Sequence, residues 1–159
     1  MKLTTELVPS TCWGSNLRQL LNRTEWRICQ MFVYERSNRF CEICGAQGVR
    51  TPVECHEVWE YDDDRLMQTL TGLIALCPRC HQAKHAGFAE VRGQIHLVMR
   101  QLMKVNSWTE AQASDYLEHA FEVWAYRSRS VWDLDLTWLE TVGLHGRIFS
   151  SKERRVWAG

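Results

Sequence analysis

Long hydrophobic runs are missing from this chain: the longest are about five residues, against the ~20 that a membrane-spanning helix needs. The opening residues, Met1-Lys2-Leu3-Thr4-Thr5-Glu6, contain no apolar leader segment, so a protein that is neither membrane-embedded nor exported is expected, with the cytoplasm as its compartment. A net charge is missing as well. Lys plus Arg number 19 and Asp plus Glu number 19, which excludes a global basic field and makes any nucleic-acid binding a local matter. No internal repeat, low-complexity tract or Pro/Gly-rich linker interrupts the sequence, so its pieces are expected to pack together. The 159 residues, 45% of them apolar and 24% charged, suit a compact domain with an extension and exclude a disordered tail.

What is there in unusual number is cysteine. Seven thiols, an odd count with two Cys-x-x-Cys pairs and no secretory leader, argue for reduced cysteines holding a metal and against disulfides. Cys41-x-x-Cys44 is followed after 32 residues by Cys77-x-x-Cys80. Four thiolates complete a tetrahedral zinc shell, and a two-residue gap lets each knuckle present both sulfurs to one point. Gly45 suits the tight turn of the first knuckle, while the second pair opens a helix whose N-terminal amides favour thiolate charge. A hairpin knuckle plus a helix-start knuckle is the treble-clef arrangement, with a closed and therefore architectural zinc. A thioredoxin-like redox pair would need a single motif in a βαβ context, which is absent.

The neutral total hides a pattern. Residues 1–40 carry six basic and three acidic groups, residues 49–85 four and six, and residues 125–159 six and four, so positive excess flanks an acidic, cysteine-rich middle. The periodicity predicts a short helical piece over 16–21 and a helix over 24–36 on which Trp26, Cys29, Phe32 and Val33 share a face. Strands are predicted over 39–43, 53–61 and 70–76, with turns at Gly45, Gly48 and Asp62-Asp63-Asp64. A helix from Cys80 should stop near Ala86-Gly87. Beyond it, Ile95, Val98, Met99, Leu102 and Met103 mark one helix. Ser107-x-x-Glu110 reads as the capping box of a second, whose stripe of Tyr116, Leu117, Ala120, Phe121 and Trp124 runs to about Arg127. Residues 131–139 read as a strand or an extended arm. The expected organisation is an N-terminal arm over 1–23, a zinc-binding domain over 24–90 and a helical extension with a C-terminal arm over 91–159, packed as one unit.

Histidines crowd the cysteine pairs. His81 and His85, four apart, share a helix face and can bind one ion, and His56 would sit on a facing hairpin strand. At these residues the order Cys-x-x-Cys, a His-bearing strand, and Leu73-x-x-Leu76-Cys77-x-x-Cys80-His81-x-x-Lys84 resembles the zinc-stapled HNH endonucleases of the ββα-metal fold, over about Val33 to His85. The resemblance implies an α+β fold, a treble-clef ββα-metal (HNH-like) zinc domain with a helical C-terminal extension. Carried over by position, His56 matches the general base and His81 the helix-borne ligand of a second divalent ion (Mg2+, Mn2+, Ni2+ or Zn2+). His85 matches a further ligand. Nucleic acid, DNA ahead of RNA, is the implied partner, with Arg36, Arg39 and Lys84 as nearby cations. The helical half offers a surface to a protein partner, and no membrane is involved.

Two positions depart from that pattern. Cys55 stands where the family has a hard ligand, and Gly72 where it has its middle Asn. Three readings stay open: Glu57 or an aspartate of 62–64 supplies the lost carboxylate; the ion is zinc held by Cys55, His81 and His85; or the site is a degenerate module that binds a protein or nucleic acid. A zinc deaminase is disfavoured because Pro78 follows Cys77 instead of preceding it. A His-Glu-x-x-His protease is excluded by spacing at both His56-Glu57 and His81–His85. Eight tryptophans and the tail cations Lys152, Arg154 and Arg155 add candidate interface groups. Cys12 and Cys29 read as ordinary buried or loop residues.

Overall fold

The computed structural model describes residues 2–47 and 52–157, and side chains as far as Arg154; Gly48, Arg155 and the side chain of Trp157 lie outside these limits. A short helix α1 (Leu17–Leu20) leads into α2 (Arg23–Arg36). Asn22 caps α2 with Glu25 completing a capping box, which satisfies amides that the first turn leaves unpaired. The expected strand over 39–43 does not form. Among the described residues this stretch makes an isolated bridge, Phe40 with Gln47, and a backbone hydrogen bond from the Glu42 amide to the Ala75 carbonyl. Residues 41–45 instead turn back on themselves, with the Gly45 amide donating to the Cys41 carbonyl at 2.8 Å and Gly45 at φ 71°, a conformation that glycine adopts without Cβ strain.

β1 (Glu54–Asp62) and β2 (Met67–Leu76) form an antiparallel hairpin with a register shift between Val58 and Trp59. The Asp62 carboxylate caps its turn by accepting from the amides of Asp64 and Arg65. α3 (Pro78–Lys84) follows β2 directly, with Cys77 as its N-cap residue and Pro78 in its first turn, where a missing N–H costs nothing. The helix breaks at His85, one residue before the predicted stop, and the chain re-enters a helix as α4 (Ala86–Val91).

Helices α5 (Ile95–Asn106) and α6 (Glu110–Arg127) match the predicted pair. The cap between them shifts. Ser107 takes the left-handed conformation that ends α5, and the capping box belongs to Thr109 and Gln112. The C-terminal part is not purely helical: β3 (Asp133–Asp135) pairs parallel with β2, and β4 (Ile148–Phe149) pairs antiparallel with β3. The hairpin thereby becomes the edge of a four-stranded sheet in the order β1-β2-β3-β4. α7 (Ser151–Trp157) closes the described chain. The fold class is α+β.

Apolar side chains gather in two cores. One joins Val33 of α2 and Leu70 and Leu73 of β2 to Leu134 and Leu139 of the C-terminal segment. The other joins Leu3, Leu76 and Ala83 to Val98, Leu102 and Leu117. Each buried Leu or Val there contributes about 1.5–3 kcal/mol. The second core fastens α3, which carries most of the chemistry-bearing side chains, to α5 and to the N-terminal segment.

Candidate active site

Helix α3 and the knuckle before β1 bring Cys41, Cys44, Cys77 and Cys80 together, all four sulfurs lying within 4.8 Å of one another. The Cys44–Cys77 separation is 3.7 Å. Four sulfurs about 2.3 Å from a zinc ion stand about 3.8 Å apart along a tetrahedral edge, so the donor set fits structural zinc in number, type and spacing. The hydrogen bond between Cys80 and Cys41 lowers the Cys41 thiol and raises that of Cys80, so one proton is held between the two sulfurs. Gln101 of α5 donates to Cys80 Sγ at 3.2 Å, and Glu42, inside the knuckle, accepts from the Ala75 amide at 2.7 Å. All seven cysteines are free thiols, with Cys12 and Cys29 buried in the interior.

A second cluster lies on another side of α3. His56 of β1 and His81 and His85 of the helix have ligand atoms within 4.8 Å of one another, and their rings meet edge to face at 4.6–5.1 Å. His81 Nε2 and His85 Nε2 are 3.1 Å apart. Two ligands about 2.0–2.1 Å from one ion are about 2.9–3.4 Å apart between octahedral and tetrahedral angles, so this pair can share an ion. The Glu54 carboxylate accepts from His81 Nδ1 at 2.6 Å. That contact puts the imidazole proton on Nδ1 and leaves Nε2 as the donor atom, the arrangement that strengthens histidine ligands. Burial, then the neighbouring His81 and Lys84, hold His56 down to about 3. Burial and the His56 and His81 rings do the same for His85. Neutral imidazoles are the form that binds metal and accepts protons.

The cluster opens into a cavity of about 730 Å³ whose walls include Arg18, Trp26, Tyr34 and Arg39 beside the three histidines. A cavity of this size accommodates a small organic group. Of the three sequence-predicted cations, only Arg39 lines it. Lys84 does not face solvent: it is 8% exposed, its ammonium donating to Thr4 Oγ1 at 2.9 Å and lying 3.7 Å from Glu6. Arg36 is committed to Glu42 and to the Leu73 carbonyl. The tail cation Arg154 is buried, holding Ser15, Gln68 and the Trp132 carbonyl. Arg18 is the additional cation at the cavity.

The proposed replacements for the missing carboxylate also need correcting. Both Glu57 oxygens are occupied, one by the Leu17 amide at 2.6 Å and one by Trp59 Nε1 at 3.2 Å. Asp62-Asp63-Asp64 sits at the far end of the hairpin, about 20 Å along the strand from His56 at strand rise. Cys55 neighbours His56 in sequence, but successive strand residues face opposite sides. It packs against the first core and lies outside the histidine donor group. Burial pushes its thiol up to about 12, against the thiolate a metal needs. The carboxylates that do reach the histidines are Glu54 and Glu6, neither singled out by sequence. Glu54 had a signal, since it stands two before His56 on one strand face.

Glu6 comes from the N-terminal segment. Its Oε2 is 3.7 Å from His56 Nε2 and 3.7 Å from Lys84 Nζ, and its backbone amide donates to the Lys84 carbonyl at 2.8 Å. Burial raises its carboxyl to about 7 against the pull of Lys84 and of the Trp59 amide. Glu6 Oε1 and His56 Nε2 are buried without a hydrogen-bond partner.

A family model described as HNH endonuclease matches residues 41–87, a segment that holds both clusters and amounts to less than a third of the chain. No curated protein and no solved structure matches the chain.

Proposed function

We propose that this protein is a metal-dependent nuclease of the HNH type that hydrolyses phosphodiester bonds of nucleic acid. The observation that carries this reading is the convergence of His56, His81 and His85 on one point at the wall of an open cavity, within the segment that the HNH endonuclease model matches. His81 and His85 are the ligands of a divalent ion, and His56 is the general base. A divalent ion held there would supply Lewis-acid stabilisation of charge on the phosphate oxygens. His56 takes a proton from water at the attacked phosphorus, and Arg18 and Arg39 draw the flanking phosphates into the cavity. The four-cysteine site holds zinc and takes no part in the chemistry, having no open position.

Plasmid cleavage under magnesium, manganese, nickel or zinc tests this. His56→Ala is expected to lower the rate about 10²–10⁴-fold, the usual worth of a positioned base, with the cysteine-site zinc and the second ion both retained. Equal cleavage by wild type and variant would overturn the assignment.

One observation favours a second reading. All three histidine donors are close enough to surround a single ion, which would spend His56 as a ligand and leave a binding module without a base. In that case His56→Ala would weaken second-ion binding, and the wild type would bind nucleic acid or protein without cutting under any of the four metals.

A further inference from the structure

Two buried side chains, each with a polar atom that lacks a partner, meet at the back of the histidine cluster. His56 is 6% exposed, and its Nε2 makes no hydrogen bond. Glu6 Oε1 makes none either, and the Glu6 Oε2 atom stands 3.7 Å from that same Nε2. Unpaired buried polar atoms destabilise a fold, and native interiors rarely keep them. One N–H donor turned toward one carboxylate, directly or through a single water, satisfies both.

We propose that Glu6 is the positioning residue of His56: it accepts a hydrogen bond from Nε2–H, fixes the imidazole in that tautomer and turns the unprotonated Nδ1 to the cavity. Neutral imidazole carries one proton on one of two nitrogens. Nε2 is the sealed nitrogen, and the Glu6 carboxylate, when ionised beside Lys84, is its acceptor, so the proton belongs there. Nδ1 is left as the basic atom on the side that lines the cavity. The role rests on reading His56 as the base.

Glu6 is itself held by the elements that bear the histidines. Lys84 of α3 faces its carboxylate and its carbonyl accepts from the Glu6 backbone amide. No neighbouring side chain can replace it, because both Glu57 oxygens are engaged and Glu54 serves His81. The two carboxylates thus impose opposite tautomers, with the proton on Nδ1 in His81 and on Nε2 in His56.

Two-bond ¹H–¹⁵N correlation spectra of the full chain, with its cysteine site loaded and no other divalent ion added, read both tautomers without any cleavage assay. The expected result is His56 protonated at Nε2 and His81 at Nδ1. Glu6→Ala is expected to mix or invert the His56 tautomer while leaving His81 unchanged, and to lower kcat about 10–100-fold, the usual cost of removing an orienting partner, with KM within about twofold. Glu6→Gln keeps an acceptor oxygen and should restore the Nε2–H form and most of the kcat lost in Glu6→Ala. Zinc content at the cysteine site and the melting curve show that each variant is folded. A wild-type His56 protonated at Nδ1, or a tautomer unmoved by Glu6→Ala, overturns the proposal. Should the wild type cut no nucleic acid, the nuclease reading fails alone, and the spectra still decide whether Glu6 orients His56.

Discussion

The four-cysteine and three-histidine clusters share helix α3 and put its sides to different uses. Cys80 is buried and receives Gln101 from α5, and its sulfur lies within 4.8 Å of the other three. His81 and His85, one and five residues later, line an open cavity and are backed by a carboxylate on only one of the two rings. A closed donor set stabilises a fold, whereas an open one with oriented imidazoles leaves room for a further ligand. The same short helix therefore separates scaffold from chemistry by which way each side chain points.

Removing a ligand from each cluster should break that contrast most visibly. Cys41→Ser is expected to lose its zinc and unfold, because structural zinc supplies on the order of 10 kcal/mol or more to domains whose net stability is about 5–15 kcal/mol. Metal analysis with circular dichroism checks this, and a folded, zinc-free variant would erase the distinction. His81→Ala should instead abolish second-ion binding in a calorimetric titration while the cysteine-site zinc and the melting temperature stay near wild type. Loss of both ions would mean that the clusters act as one. Gln101→Leu tests the link to α5. It removes the bond to Cys80 and should cost about 1–2 kcal/mol in a urea titration, with zinc retained.

The smallest effect belongs far from both clusters, at the Asp63–Arg127 pair that ties the hairpin turn to α6 at 2.6 Å. Arg127 holds the Asp63 carboxyl below its usual range. The folded state therefore binds that proton less readily than the unfolded one. The stabilisation is present above the ordinary Asp value near 4 and is lost as pH falls through the lowered one. For a pair this exposed it amounts to under about 1 kcal/mol, and Asp63→Asn should remove it without changing either metal site.

The legible parts of the molecule were those whose geometry is local. Cys-x-x-Cys spacing fixes a knuckle, and His81 and His85 at four residues share a helix face, so both clusters could be placed before any coordinates. Helices α2, α5 and α6 followed from their apolar periods. Contacts across the chain carried no such pattern. Lys84 read as a surface cation because lysine normally is one, and its burial becomes intelligible only once Glu6, almost eighty residues away, is seen beside it. Arg154 misled in the same way. Cys55 matches a ligand position by family resemblance alone, and position does not carry over the side chain's surroundings: it packs on the first core and stands outside the histidine donor group. The parallel pairing of β3 with β2 was hidden because three residues are too few to show a period.

The N-terminal segment is fastened to parts of the chain made much later. The amides of Lys2 and Leu3 bond Asn106, that of Thr5 bonds the Tyr116 hydroxyl, and Ser10 and Thr11 bond Ser128 and Ser130. Closing loops of this length is slow compared with forming a helix or a hairpin. During synthesis the cysteine site and the Glu6–Lys84 contact can both assemble once α3 has emerged, whereas the ties to Asn106, Tyr116, Ser128 and Ser130 wait for the helical half. A nascent or truncated chain would thus carry both side-chain clusters with its N-terminal segment tied down only at α3, so the last part of the chain to be made is what fastens the first.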